Sequence, residues 1–295
     1  MSEQQITRTN TPPSTEDSQV AEVRQVDAEP GALPAEPQPS VPKDRRVLRA
    51  VLRWAAAVVV FAAVGAGAAY GIMRMERTDV PGLATEPDGR WEYPPLVKPP
   101  LPSGSPGPFA ESNPIGAHYA DLRALLLPAP KGAVEDKALR GSDGWLATKD
   151  FLAEFKGESS RDGFRQKLVD AGLRHIAARG WTTQDGTRTR VYLLQFDTAA
   201  VVETEFSGLF SYSSPAYTVR GGEVAQFDEA FPEAAHVSGV QRSPFVEVKP
   251  YGREQVRQAY LGAGDAVAVI LQSRKGTVPA VPFQQTVVLQ SQLLG

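Results

Sequence analysis

From Trp54 to Met73 the chain runs twenty residues without a charge. At about 1.5 Å per residue a helix of that length covers roughly 30 Å, the hydrocarbon thickness of a bilayer. Trp54 and Tyr70 sit near its two ends, where amphipathic rings prefer the headgroup level. The run predicts one transmembrane helix over 54–73. Elsewhere apolar positions recur with the shorter periods of a globular fold. Tyr119 to Leu127 reads as a short helix stopped by Pro128. Thr148 is placed to cap a helix that buries Phe151, Leu152 and Phe155. Ser159 and Asp162 resemble a capping box before Phe164, Leu168, Gly172 and Ile176 at helical spacing, with Gly180 as the stop.

A hairpin follows. Trp181–Gln184 leads into Asp185-Gly186, a two-residue signal for a type I′ turn, and 187–196 returns. In the return strand Val191, Leu193 and Gln195 alternate with Tyr192, Leu194 and Phe196. Apolar residues on both faces make it a central strand. Asp197 is placed to cap the next helix, with Val202, Phe206, Leu209 and Phe210 as its buried stripe. Val237–Gln241 and Gln255–Leu261 read as strands, and 262–265 turns the chain into a buried strand over Ala266–Gln272. Pro282 then opens a helix with Phe283, Val287 and Leu294 inward. Strand, turn, strand, loop and helix thus occur twice, with Arg190–Gln195 resembling Ala266–Gln272. The expected fold class is α+β: an antiparallel sheet with helices packed on one face, preceded by a disordered tail, one transmembrane helix and a Pro-rich linker.

Composition divides the chain further. Residues 1–42 carry seven Asp/Glu, two Arg and seven Pro, with few large apolar side chains. Such a segment cannot bury enough surface to offset its ordering entropy and is expected to be a disordered acidic tail. Thr9, Thr11, Ser14, Thr15 and Ser18 are candidate phosphorylation positions within it. Residues 43–53 are basic, with Lys43, Arg45, Arg46, Arg49 and Arg53 against Asp44. Arg45, Arg46, Arg49 and Arg53, with Trp54 and Tyr70, are the expected membrane-interface residues. The positive-inside rule then places the N-terminus in the cytoplasm and the C-terminal part outside the cell membrane, although Arg74 and Arg77 follow the span. Ala66-Gly67-Ala68 resembles a signal-peptide cleavage site, but the long region before the span favours an uncleaved anchor. Residues 74–114 read as an extracytoplasmic linker. Ten Pro between 81 and 114 exclude a helix or central strand there and predict an extended spacer of up to roughly 100 Å. Residues 115–295, with 20 basic and 20 acidic residues, form the one globular α+β domain.

The whole chain has 31 Lys+Arg against 34 Asp+Glu, which supplies no field for nucleic acid. There is no Cys, so thiolate metal sites, Cys nucleophiles and disulfides are excluded. No G-x-S-x-G, H-E-x-x-H or P-loop pattern occurs. Gly262-Ala-Gly264 precedes a strand and reads as a hairpin turn, not as a phosphate loop. His118, His175 and His236 fall in three different elements and read as packing histidines. Glu203 and Glu205 read as a solvated helix face. Asp228, Glu229 and Glu233 around Phe227 and Phe231 form an acidic cluster whose functional reading is a partner-binding edge. No residue set points to a cofactor or metal. Within the span, Gly67 and Gly71 form G-x-x-x-G and Ala63 extends the small-residue row, the pattern of a helix-association face that implies a homodimer or another membrane partner.

The run Gly180–Phe210, and Gly264-Asp265 through Gln290-Ser-Gln-Leu-Leu294, resemble extracytoplasmic domains of actinobacterial single-pass membrane proteins and lipoproteins. Some of these are sensor-like and similar to the outer domain of a mycobacterial serine/threonine kinase. Leu125-Leu-Leu-Pro-Ala-Pro-Lys131 also resembles high-GC bacterial sequence. No kinase domain and no disulfide cysteines of that sensor occur in these residues. The resemblance implies binding of a ligand or envelope partner outside the cell. The expected function is therefore non-catalytic: a bitopic protein anchored in the lipid bilayer whose outer domain binds. The alternatives are an assembly or scaffold factor acting through its tail and span, and a wall-associated hydrolase, whose paired carboxylates need not be close in sequence.

Overall fold

The computed structural model describes residues 45–74 and 88–295, which fall in two compact units. The acidic tail expected over 1–42, and the first part of the linker, lie outside the described residues. The first unit is the helix α1 (Arg45–Arg74). Its stretch Arg46–Gly71 is long and apolar enough to cross a membrane. Val58, Phe61 and Val64 on it are 64%, 79% and 64% exposed, so these side chains are largely uncovered by the described residues. Apolar surface of that extent is stable against lipid rather than water.

The second unit is built on one antiparallel sheet of seven strands in the order β1-β2-β3-β7-β6-β5-β4. The strands are β1 (Val134–Glu135), β2 (His175–Thr182), β3 (Arg188–Gln195), β4 (Ala225–Phe227), β5 (Gln241–Glu247), β6 (Glu254–Ala263) and β7 (Ala266–Lys275). β3 is central as its two apolar faces require, and pairs with β7 through Tyr192↔Val269 and Leu194↔Val267. One side of the sheet presents Tyr192, Leu194, Val269, Leu271 and Tyr260, the other Val191, Leu193, Ile270, Ala268 and Leu261.

Both sides are covered, which corrects the one-face expectation. Phe151 and Leu152 of α2 (Thr148–Leu152), Phe164 and Leu168 of α3 (Glu158–Asp170), and Val202 of α4 (Ala199–Glu205) join the first cluster. Phe283, Val287 and Leu294 of α5 (Ala280–Leu294) join the second, with Leu122, Leu125 and Leu127. The physical reason lies in β3 and β7, which are apolar on both sides and so need a cover on each. The helices that follow the two hairpins lie on opposite faces, so the likeness of the hairpins does not extend to a whole repeated unit. Fully burying a Phe such as Phe164 contributes about 2–3 kcal/mol.

Several local expectations shift. Leu122–Leu125 is a single 3-10 turn capped by Asp121, not a longer helix. Thr148 and Ser159 lie inside their helices, behind Ala147 and Gly157, and neither helix has a side-chain cap. α3 ends at Asp170, well before Gly180, the expected stop. Gly172, at φ +69°, takes the left-handed conformation that ends a helix, and Leu173 N–H donates back to Leu168 O at 2.9 Å. Ile176, His175 and Gly180 therefore belong to β2. The β2–β3 turn is not type I′, because only Gly186 has positive φ. Gly186 N–H donates to Thr183 O, and Asp185 accepts from Thr183 and Thr187. α4 is capped by Thr198, one residue beyond Asp197. Val237–Val240 lies in a loop, and the strand begins at Gln241.

The Pro-rich stretch is docked from Trp91 onward. Gln285 of α5 accepts from Trp91 N–H and donates to Trp91 O, both at 2.8 Å. Tyr93 Oη meets Thr286 Oγ1 at 2.9 Å, and Trp91, Tyr93 and Leu96 pack on the second cluster.

Candidate functional site

The site takes shape where the sheet runs out of strands. β4 pairs only with Phe245, Val246 and Glu247, so residues 241–243 of β5 carry no strand on their outer side. Pro244 fits such a place, since it has no N–H to offer a neighbour. A cleft of about 1070 Å³ wraps this end of β5, slightly above the usual range for pockets that enclose small molecules.

Four stretches far apart in sequence, within 108–116, 199–212, 227–244 and 262–264, form its walls. α4 contributes Val202 and Glu203, and the 3-10 turn Ser207–Phe210 contributes Phe210. Tyr212 and Phe227 follow, their rings 5.2 Å apart. The loop 229–240 brings Glu229, Phe231, Glu233 and His236. The last wall is Phe109, whose ring covers Gly239 so closely that a Cβ there would come within 2.8 Å of it. Phe109 is held there by its own segment. Asn113 Nδ2 donates to Gly107 O and Ala117 O, and Ala199 N–H donates to Ile115 O.

The electrostatics are one-sided. Glu203, Glu229 and Glu233 are exposed along the cleft. Arg242 is the cleft's cation, and its guanidinium is engaged: it donates to Ala235 O and Pro232 O and lies 4.2 Å from the Phe231 ring centre. Burial lowers the Arg242 pKa from its ordinary value. Of the acidic cluster expected at 228–233, Glu229 and Glu233 thus reach the cleft. Asp228 is buried and paired with Arg257 at 2.8 Å. Glu205 points elsewhere, 3.5 Å from Lys167.

The three histidines lie in three different places, and His236 is exposed instead of packed. His118 is buried, with Nδ1 2.6 Å from Asp265 Oδ1 and Nε2 3.0 Å from Leu294 O. His175 is stacked on Trp145 at 4.4 Å, and Arg123 lies over the other ring at 4.9 Å. His236 lines the cleft without a hydrogen bond to Ser207 or Ser243, the serines there. Among the described residues no group of three or more His, Asp or Glu is arranged to hold a metal ion. The geometry is that of a receptive surface: aromatic walls, a carboxylate rim and an open strand edge.

The membrane-helix residues are placed as follows. Arg45 opens α1; Arg46, Arg49 and Arg53 are exposed in its first turns. Trp54 and Tyr70 are 75% and 56% exposed, about 24 Å apart along the axis. Ala63, Gly67 and Gly71 follow one another at four-residue spacing, and a Cβ at either glycine meets nothing within 4 Å. The cleft residues Phe109, Tyr212, Arg242 and Ser243 carry no motif. Their one sequence signal is Pro244, which a central strand does not tolerate and which marks an edge.

The described parts together define a single apolar helix with a C-terminal antiparallel α+β domain, compatible with a single-pass membrane protein. No family model matches the chain, and no curated protein matches it. Among solved structures, the extracellular domain of PknH from Mycobacterium tuberculosis is similar at a TM-score of 0.28 and 10% identity, over 43% of this chain and 68% of that one. A likeness of that size transfers neither residue roles nor ligands.

Proposed function

We propose that this is a non-catalytic bitopic membrane protein whose C-terminal domain lies outside the cell and binds a ligand or envelope partner in the cleft beside β5. The observation that carries the reading is the cleft itself. It is large, its aromatic walls are drawn from distant segments, and Phe109 and Tyr212 remain 42% and 80% exposed there. Exposed aromatic surface around a concavity is the usual signature of recognition. The basic residues before the span support an N-terminus in the cytoplasm.

Covalent cross-linking in intact cells tests the reading. The full chain is compared with a chain ended after residue 87, which keeps the tail and span. Envelope cross-links lost with the domain support outer recognition. Cross-links unchanged by its removal would move the function to the tail and helix, where the open row at Ala63, Gly67 and Gly71 favours an assembly role.

A further inference from the structure

We infer that the cleft receives an extended, positively charged peptide segment, added as a strand to the free outer side of β5; this rests on the binding reading above. Register gives the first argument. Asp228 N–H donates to Pro244 O, and Val248 N–H donates to Val224 O. Even-numbered residues of β5 therefore turn their peptide groups toward β4, and odd-numbered ones turn theirs toward β6. β4 pairs no further than Phe227↔Phe245. The N–H and C=O of Arg242 consequently face away from β6 at the cleft, where β4 has ended. A strand laid there gains two backbone hydrogen bonds. It runs antiparallel to β5, in the line that β4 leaves.

Side-chain chemistry gives the second argument. Alternate residues of an added strand point to opposite faces. On one face they meet Phe210, Phe227 and Ser243. Ser243 is 1% exposed and lines the cleft. The rim carries Glu203, Glu229 and Glu233, while the guanidinium of Arg242 donates to Ala235 O and Pro232 O of the 229–240 loop. A guest with basic side chains matches that charge, and an acidic guest is repelled.

The test uses the full chain in neutral detergent and three fluorescent octapeptides, alternating Val with Lys, with Gln or with Glu. Anisotropy is expected to show binding of the Lys peptide, weakening as salt rises. The pair Glu229→Gln and Glu233→Gln is expected to weaken it about three- to tenfold. Hydrogen exchange is expected to slow across residues 241–245 when the peptide binds. Equal binding of all three peptides overturns the charge assignment and with it the inference. Binding without slowed exchange at 241–245 overturns the added strand. No binding by any peptide, while cross-links in cells still depend on the domain, overturns the inference and leaves the binding reading in place. If those cross-links also persist without the domain, both fall.

Discussion

The tip of the Phe210 ring abuts Gly262: a Cβ built on that glycine would come within 2.6 Å of Phe210 Cζ. This contact sets one wall of the cleft, because Gly262 is paired with Gln241 at the start of β5. Gly262→Ala should push the ring aside. Phe210 is only partly buried and free to swing, so the stability loss should stay under about 2 kcal/mol. Ligand affinity should fall by more than stability does. Urea unfolding measured beside binding checks this, and unchanged affinity would remove Phe210 from the site.

Asp265 fastens three chain segments. Its Oδ1 accepts from His118 N–H at 3.0 Å and meets His118 Nδ1 at 2.6 Å, and its Oδ2 accepts from Gln195 Nε2 at 3.1 Å. The group is 2% exposed. Asp265→Ala leaves the buried His118 and the half-buried Gln195 without this acceptor and should cost about 3 kcal/mol or more. It should also loosen the segment that carries Phe109, since Gly116 O accepts from Asp265 N–H in the same turn. Chemical denaturation with hydrogen exchange over 107–118 gives both readings. A loss under about 1 kcal/mol would contradict the account.

Asp185 makes the hairpin turn sensitive to acid. Partial burial raises its pKa, but hydrogen bonds from the Thr183 hydroxyl, the Thr187 amide and the Thr187 hydroxyl outweigh it, aided by Arg274. The folded pKa therefore lies below the usual carboxylate value. Such a group contributes stability above the unfolded pKa, and the contribution is lost as pH falls through the folded one. Asp185→Asn should be about 1 kcal/mol less stable at neutral pH. The difference should shrink as the solution is acidified through that range. A gap independent of pH would show that the charge plays no part.

The absence of cysteine makes orientation directly testable. A single Cys at Tyr212, 80% exposed, should react in intact cells with a membrane-impermeant maleimide. Ser18→Cys should react only after the membrane is opened. The opposite pattern would invert the topology drawn from Arg45, Arg46, Arg49 and Arg53.

Where side-chain periodicity decides structure, the sequence was readable. Val191 to Phe196 alternates between two apolar faces, and the chain places it at the centre of the sheet. Phe283, Val287 and Leu294 are inward on α5 as their spacing required. Boundaries failed where helix and strand periods overlap. Ile176 continues the helical spacing of Phe164 and Leu168, yet the left-handed Gly172 lies between them and starts the chain toward β2. β5 escaped because Gln241, Arg242 and Pro244 break the apolar alternation, as suits an open edge. The cleft was illegible for a different reason. Phe109, Phe210, Arg242 and Gly262 meet only through tertiary folding, and no local pattern records a wall assembled from four distant stretches.

Photo-cross-linking in intact cells tests the central claim most directly. A benzophenone side chain is placed in the full chain at Phe210 or Tyr212 in the cleft, and at Val169, 65% exposed on α3, as the reference. The account predicts an adduct from both cleft positions that is missing from Val169 and reduced by Gly262→Ala. Equal adducts from all three positions, or none from the cleft, would contradict it.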